Sequence, residues 1–182
     1  MKLIRRWSLM RAVQPENIQE HSHQVAVIAH ALAEIDNRYC NGSSDPGLAV
    51  LLALYHDVGE VIIGDLPTPV KYFNPEINKS YGQIEDVARE KLLSLLPGDL
   101  LPAYRPLFFP DQDLPEYRLV KAADKLSAYI KCLEEAGAGN GEFARAEKSI
   151  EKELAKYGDL PAVGWFKAHC LADYAKTLDE LG

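Results

Sequence analysis

Cysteine is scarce in this sequence and is arranged for neither disulfides nor a zinc module. Cys40, Cys132 and Cys170 are odd in number, far apart and in no CxxC pair. No zinc-finger or thioredoxin-like pattern results, and the three residues read as reduced thiols in a reducing compartment. Long hydrophobic runs are missing too. The longest, 48–55, falls far short of the roughly 20 residues that span a bilayer. The opening Met1-Lys2-Leu3-Ile4-Arg5-Arg6-Trp7 shows neither an apolar h-region nor a cleavage site, so no signal peptide is expected. Positive charge is in short supply: 20 Lys and Arg stand against 27 Asp and Glu, a formal net charge of −7. A general nucleic-acid binder normally carries a basic face, so polymeric nucleic acid is not the expected partner. A small phosphorylated ligand is compatible with this balance, because a metal and one or two local cations offset its charge. Neither a period-two run nor an internal repeat stands out. Together these absences point to a cytoplasmic location with no membrane partner.

What is present is helical periodicity in a chain of 182 residues, a length that favours one domain over 1–182. The hydrophobic fraction of 47% and mean hydropathy of −0.19 suit a soluble globular fold, and a helical chain of this size buries a large core without disulfides. Ile18, Val25, Ile28, Leu32 and Ile35 form one stripe after Pro15. Residues 41–47 are a loop by composition. A second helix is expected from about Leu48, with Leu48, Leu51, Leu52 and Tyr55 leading into His56. Pro67 and Pro69 break the helical pattern after Gly64. Ile84, Val87, Ala88, Leu92 and Leu95 predict an amphipathic helix ending at Pro97-Gly98, followed by a proline-rich connection to Pro115. A long helix over 115–135 carries Tyr117, Val120, Asp124 and Ile130. Helices over 143–157 and 163–181 complete an all-α, single-domain bundle of about six helices. Its longest irregular segments are expected at 64–80 and 97–115, and long loops in a compact domain are often functional.

Four residues sit on buried stripes without belonging there by polarity. His21 lies three after Ile18 and four before Val25, hence on the core face of its helix. His56 ends the apolar stripe of the second helix, and Asp57 follows it. Asp124 lies four after Val120 among alanines. Burying a carboxylate without a partner costs several kcal/mol or neutralises it. Imidazole and carboxylate are mixed N/O ligands for divalent Mn, Co, Fe, Ni, Cu or Zn, and helix bundles build metal sites from inward side chains on facing helices. Glu60 is four from His56 and three from Asp57, so three acid/base groups cluster at one helix end. Gly59 and Gly64 suggest a loosened backbone that approaches a ligand. Plainer explanations stand beside each assignment. His21 alone suits a core histidine with one satisfied hydrogen bond. The 56–60 group suits a solvated helix end, and Asp124 a salt bridge to an Arg or Lys. Lys121 and Lys125 flank Asp124 but are expected off its side of the helix. His23 falls off the buried stripe and His30 has no acidic neighbour in a recognisable pattern; both are read as structural or solvated, and His169 is unassigned.

The wording of the motifs adds to this. Arg6-Trp7-Ser8-Leu9-Met10-Arg11 precedes Glu20-His21-Ser22. Then come Tyr55-His56-Asp57-Val58-Gly59-Glu60, Gly64-Asp65-Leu66-Pro67-Thr68-Pro69-Val70-Lys71-Tyr72-Phe73, and Asp124 ahead of Ala128-Tyr129-Ile130-Lys131-Cys132-Leu133-Glu134-Glu135. From about Arg6 to Phe143 the chain resembles the bacterial 5′-deoxynucleotidases of the HD superfamily. The resemblance implies a helical bundle of the HD-domain type. It implies hydrolysis of deoxyribonucleoside 5′-monophosphates to deoxyribonucleoside and phosphate. The cofactor would be one divalent transition metal ion (Co, Mn, Zn, Cu or Fe), held by His21, His56, Asp57 and Asp124. Glu60 would be the acid/base acting on the attacking water, with Asp57 also in the catalytic set. Arg6 would orient the phosphate and Trp7 would pack near the sugar. Asp65, Leu66, Pro67 and Thr68, with His21 and Asp124, would line the nucleotide site. A homodimer is implied as well. Without the motif, Arg6 would read as solvated, Trp7 as a core or interface aromatic, and Pro67 and Pro69 as a turn. Fewer residues precede Arg6-Trp7 than in the family pattern, which shortens an N-terminal helix, and His23 stands where an apolar residue is expected. Two other functions compete. An HD phosphodiesterase acting on cyclic nucleotides or oligonucleotide ends lacks its GYP-type motif here. A non-catalytic metal-bound nucleotide sensor is disfavoured by the presence of Glu60 beside all four ligands.

Overall fold

The computed structural model describes residues 1–71, 73–176 and 178–180. Tyr72 of the 64–73 motif and Leu181, at the end of the last predicted helix, lie outside the described residues. Among the described residues there are nine α-helices and no strand beyond one isolated bridge, Arg5 to Asn17. The all-α expectation therefore holds.

Helix α1 (Ile18–Tyr39) starts where Asn17 accepts from the Gln19 and Glu20 amides while Glu20 accepts from the Asn17 amide, a reciprocal capping box. Its buried face carries Val25, Ile28, Leu32 and Ile35, with His21 on the same stripe. Helix α2 (Pro46–Tyr55) begins two residues earlier than Leu48. Pro46 suits the first helical position, and the Asp45 carboxylate accepts from the Gly47 and Leu48 amides. Its buried residues are Ala49, Leu52 and Ala53 rather than Leu48 and Leu51. A tight turn over 56–59 leads into α3 (Glu60–Ile63) and α4 (Thr68–Lys71). The window 46–63 is longer than the 48–55 run and is apolar enough on average (mean hydropathy 1.5) to match a membrane span by composition. It is nevertheless interrupted by this turn and carries Asp57 and Glu60.

Helix α5 (Pro75–Leu93) starts well before the predicted stripe, because Asn74 caps it by accepting from the Ile77 amide. Its buried residues are Tyr81, Ala88 and Leu93, whereas Ile84, Val87 and Leu95 are 51%, 70% and 68% exposed. Of the expected core stripe, Ala88 is buried and Leu92 half-buried, while Ile84, Val87 and Leu95 face outward. The expected irregular stretch 97–115 contains α6 (Leu101–Phe108) despite Pro102 and Pro106. Pro102 occupies the first turn, where its missing N–H has no intrahelical partner to lose. Helices α7 (Pro115–Gly137), α8 (Ala144–Leu154) and α9 (Pro161–His169) follow, and short 3-10 turns replace the predicted continuation beyond 169.

Helix α1 packs mainly against α2 and α7, and α9 covers it from a further side. Small residues (Ala29, Ala33, Ala49, Ala53, Ala122, Ala123) let these three axes approach, while Leu32, Leu52, Leu119, Leu126 and Ile130 fill between them. A smaller cluster of Val58, Leu93 and Phe108 holds α5 and α6 over the end of α2. His21, His56 and Asp124 belong to the three central elements, so the core itself fixes their separation.

Residues 1–17 form no helix but a loop whose ends are joined: the Ile18 amide donates to the Ile4 carbonyl and the Arg6 amide to the Glu16 carbonyl. Its tip is tied to α7. Glu135 accepts from the Val13 amide (2.8 Å), the Gln14 amide (3.2 Å), Asn140 Nδ2 (2.8 Å) and Lys131 Nζ (2.6 Å). Lys131 Nζ also donates to the Gln14 carbonyl at 2.6 Å. Both charged side chains are almost completely buried. Burial alone would raise the Glu135 pKa, but Lys131 and the amide donors outweigh it and hold the group at about 2. That stabilisation is present above the ordinary value of 4.5 and is lost as pH falls through 2. Lys131→Ala should leave Glu135 buried without its counter-ion, held only by the Val13, Gln14 and Asn140 donors, and cost about 3 kcal/mol in urea unfolding at neutral pH. A loss below about 1 kcal/mol, the range of exposed pairs, would show that the clamp is not desolvated.

Candidate active site

Helix α1 supplies His21, the end of α2 supplies His56 and Asp57, and α7 supplies Asp124. One ligand atom each from His21, His56 and Asp124 fall within 4.8 Å of one another. His21 Nε2 is 3.2 Å from Asp124 Oδ1 and 3.6 Å from Asp57 Oδ2, and His56 Nε2 is 3.1 Å from Asp57 Oδ2. The imidazoles meet edge to face at 5.2 Å. The four residues singled out on the sequence are therefore brought together.

The arrangement suits a divalent cation. His21 Nε2 and His56 Nε2 are both buried without a hydrogen-bond partner of good geometry. His56 Nδ1 lies 2.6 Å from the Ala53 carbonyl. A carbonyl only accepts, so the ring proton sits on Nδ1 and Nε2 is left to present a lone pair. His21 Nδ1 faces Ser127 Oγ at 3.2 Å and Arg6 Nη1 at 2.8 Å, and Ser127 Oγ donates to Gln24 Oε1 at 2.6 Å. Ligation through His21 Nε2 would place the ring proton on Nδ1, where Ser127 Oγ can accept it. Arg6 would then retain its other partner, Glu16, at 2.9 Å.

The electrostatics differ between the two imidazoles. Burial disfavours charge on His21, and Arg6 adds to that, so its pKa falls. Burial also acts on His56, but Asp57 and Asp124 outweigh it and raise its pKa. Asp57 and Asp124 are held below the usual carboxylate range in spite of burial, Asp57 by the two histidines and Asp124 chiefly by Lys125 and the same histidines. Lys125 Nζ lies 3.0 Å from Asp124 Oδ2, which corrects the expectation that Lys125 points off that side. The salt bridge considered for Asp124 thus exists beside its place in the cluster. Lys125 engages Oδ2 while Oδ1 faces His21.

Glu60 opens α3, one turn beyond Asp57; its amide donates to the Asp57 carbonyl at 3.0 Å. Burial, with Asp57 and Asp65 nearby, pushes its carboxyl up to about 9, and its Oε2 is buried without a partner. Asp65 is raised by burial against the pull of Arg6. Burial opposes the Arg6 charge, but Glu16, Asp124, Asp57 and Asp65 outweigh it and keep the guanidinium protonated. Leu66 and Pro67 are half-buried and Thr68 is exposed at the start of α4; among the described residues none of them hydrogen-bonds to the His/Asp cluster. Gly59 packs against α5. A Cβ there would meet the Glu85 carbonyl at 3.3 Å, so Gly59 lets α5 close against the turn. Gly64 adopts φ +76 and ends α3. His23 and His30 are exposed, as expected.

Trp7 is held by Glu16, whose Oε2 accepts from Trp7 Nε1 at 2.9 Å, and its ring packs on Phe143 at 5.2 Å. Glu16, Ser127 and Gln24 escaped the sequence reading. Glu16 lies on a loop without periodicity, and only the capping signal of Asn17 and Glu20 marks where that loop ends.

Fold and site define a helical bundle of the HD-domain type with a His/Asp cluster that could hold a metal ion. An HD-domain phosphohydrolase from Listeria innocua shares the fold with a TM-score of 0.83 at 24% identity, covering 94% of this chain and 82% of that one. A protein from Pyrococcus horikoshii superposes with a TM-score of 0.63 at 29% identity, over 87% and 88% of the two chains. A 5′-deoxynucleotidase from Vibrio cholerae is 47% identical over 182 residues, all of this chain and 93% of that protein. One from Yersinia pestis is 48% identical over 185 residues, all of this chain and 92% of its own. The family pattern described as 5′-deoxynucleotidase YfbR-like matches residues 1–174, and the chain belongs to that family. The match extends well beyond the Arg6 to Phe143 stretch that the motifs mark. It is a family of phosphomonoester hydrolases.

The raised Glu60 pKa gives a testable sign. A carboxyl raised from 4.5 to about 9 by folding favours the native state fully below 4.5, and that contribution is lost as pH rises through 9. In chelator-stripped protein, Glu60→Gln should therefore be more heat-stable than wild type at pH 8, and the difference should vanish near pH 4. Equal melting temperatures at pH 8 would show that Glu60 is not desolvated.

Proposed function

We propose that residues 1–182 form one catalytic domain that hydrolyses deoxyribonucleoside 5′-monophosphates, with His21, His56, Asp57 and Asp124 as ligands of a single divalent transition metal ion. The observation that carries this is the buried His/Asp cluster lying in the same electrostatic field as Arg6 and Glu60. Mixed N/O donors accept Co, Mn, Zn, Cu or Fe, cobalt among them, and do not select one. When bound, such an ion polarises a phosphate oxygen and makes a neighbouring water more acidic.

The chain's own residues do the rest. Arg6, permanently charged, grips phosphate oxygens with its planar fork. Glu60 removes a proton from the attacking water as its oxygen bonds to phosphorus. The bond from phosphorus to the 5′-oxygen breaks, and Glu60 returns a proton to that oxygen, leaving deoxynucleoside and inorganic phosphate. Burial first, then Asp57 and Asp65, raise the Glu60 carboxyl, and a cation held by the cluster would offset the Asp57 share, so that the same carboxyl could act as base and then as acid. Trp7 supplies a flat apolar wall for deoxyribose that disfavours an added hydroxyl. Asp65, Leu66, Pro67 and Thr68 form the nucleotide rim ahead of α4.

A homodimer is part of this proposal. Leu51, Leu54, Val61, Ile62, Ile84 and Val87 lie on the outer sides of α2, α3 and α5 and are 38–70% exposed, more apolar surface than a free helix face normally shows. A second copy would cover them. A cytoplasmic location agrees with three free thiols.

Phosphate release from metal-stripped protein, resupplied with Co, Mn, Zn or Mg, tests the reaction. Turnover of dAMP is expected to be well above that of AMP, to depend on a transition metal and to vanish in Asp57→Ala. Cleavage confined to cyclic or diester substrates would move the assignment to a phosphodiesterase, and nucleotide binding without turnover to a sensor. Arg6→Ala should lower kcat by about a hundredfold or more, the scale of one oriented donor. Sedimentation should give a dimer for wild type and a monomer for Val87→Glu; a wild-type monomer would contradict the dimer.

A further inference from the structure

We infer that Glu16 is a positioning residue that joins Arg6 and Trp7 into one unit, setting phosphate grip and sugar discrimination together. The inference rests on the deoxynucleotidase reading of the site. A single oxygen, Glu16 Oε2, accepts from Arg6 Nη1 and from Trp7 Nε1, each at 2.9 Å. The Arg6 guanidinium lies over the Trp7 ring at 5.6 Å. The Glu16 side chain is only 11% exposed and Arg6 only 14%, so this is a desolvated pair rather than a rim contact. Glu16 is also tied through its backbone, since its carbonyl accepts from the Arg6 amide at 3.0 Å.

Two further observations show that both side chains need such a holder. Trp7 has φ 59, a left-handed conformation that a bulky residue adopts only when its surroundings impose it. The turn that follows, closed by the Met10 amide on the Trp7 carbonyl at 2.8 Å, fixes the backbone but not the indole. Arg6 Nη1, for its part, has a competing partner in His21 Nδ1 at 2.8 Å. Once His21 carries its proton on Nδ1, Arg6 loses that acceptor and Glu16 remains. Glu16 Oε1 is itself 4.0 Å from His21 Nδ1, so its carboxylate borders the cluster without belonging to it. Glu16 thus ends the chain of contacts that runs from the core histidine to the two residues assigned to phosphate and sugar.

The test compares Glu16→Ala with Glu16→Gln, which keeps an acceptor oxygen of the same reach but no charge. In Glu16→Ala, kcat/KM for dAMP should fall by about a hundredfold, the scale of a misplacement near 1 Å. The dAMP-to-AMP ratio should move toward one, and Glu16→Gln should recover most of that ratio while recovering less of kcat. A second readout needs no turnover. The chain has two tryptophans, so a Trp165→Phe background leaves Trp7 as the single indole emitter. Glu16→Ala should shift its emission to the red in metal-free protein, and Glu16→Gln should not. Unchanged emission and an unchanged ratio in an active background would overturn the role of Glu16 alone. Wild-type protein inactive on dAMP would overturn the deoxynucleotidase reading, and with it the catalytic consequence of Glu16.

Discussion

The structure depends on one constraint: two imidazoles and two carboxylates converge at the meeting point of α1, α2 and α7, His21 fully buried and the other three half-buried. In an ordinary helical core those places would hold leucine or alanine. Desolvation penalises each ionised group, and the protein offsets that by mutual pairing, with His56 beside Asp57 and His21 beside Asp124. Pairing is incomplete, because both Nε2 atoms lack a well-formed hydrogen bond. A divalent cation would complete it, and the contacts of His56 Nδ1 with the Ala53 carbonyl and of His21 Nδ1 with Ser127 Oγ orient the rings in a way that suits one. The small residues on the facing helices are part of the same design. They bring the axes close enough for ligands from three elements to converge.

A second layer depends on the first. The loop over residues 4–18 has no helix to stiffen it, yet it carries Arg6 and Trp7. Its base is closed by backbone pairing and its tip by the buried Lys131–Glu135 clamp. Arg6 then meets the cluster, its Nη1 lying 2.8 Å from His21 Nδ1. The rigidity of this loop comes from its backbone pairing and from the buried charges at its tip.

Much of this was legible in the sequence, and the pattern of what was not is physical. His21, His56, Asp57 and Asp124 stood out because a polar residue on a buried helical stripe is costly, and the costs fell on three separate helices. The helices α1 and α7 were readable from sustained periodicity. The face of α5 was not: Ile84 and Val87 have the spacing of a core stripe but lie outside, because periodicity reports an apolar face without saying what covers it. Helix α6 was hidden by Pro102, whose breaking effect is weak in a first turn, and by Pro106, which stands inside the helix. Lys125 was misplaced because adjacency along a helix was taken to separate it from Asp124, whereas a long flexible side chain reaches back to the carboxylate. Glu16 could not be found by any period, since its partners are set by loop geometry.

The most direct measurement is a cobalt titration of chelator-stripped protein, followed by visible absorption and by the proton released. If the buried cluster is a metal centre, wild type should take up one equivalent per chain, and His56→Ala, with its helical content intact, should take up none at the same concentration. Saturable uptake in wild type that persists undiminished in both His21→Ala and His56→Ala would contradict it, as would no saturable uptake at all.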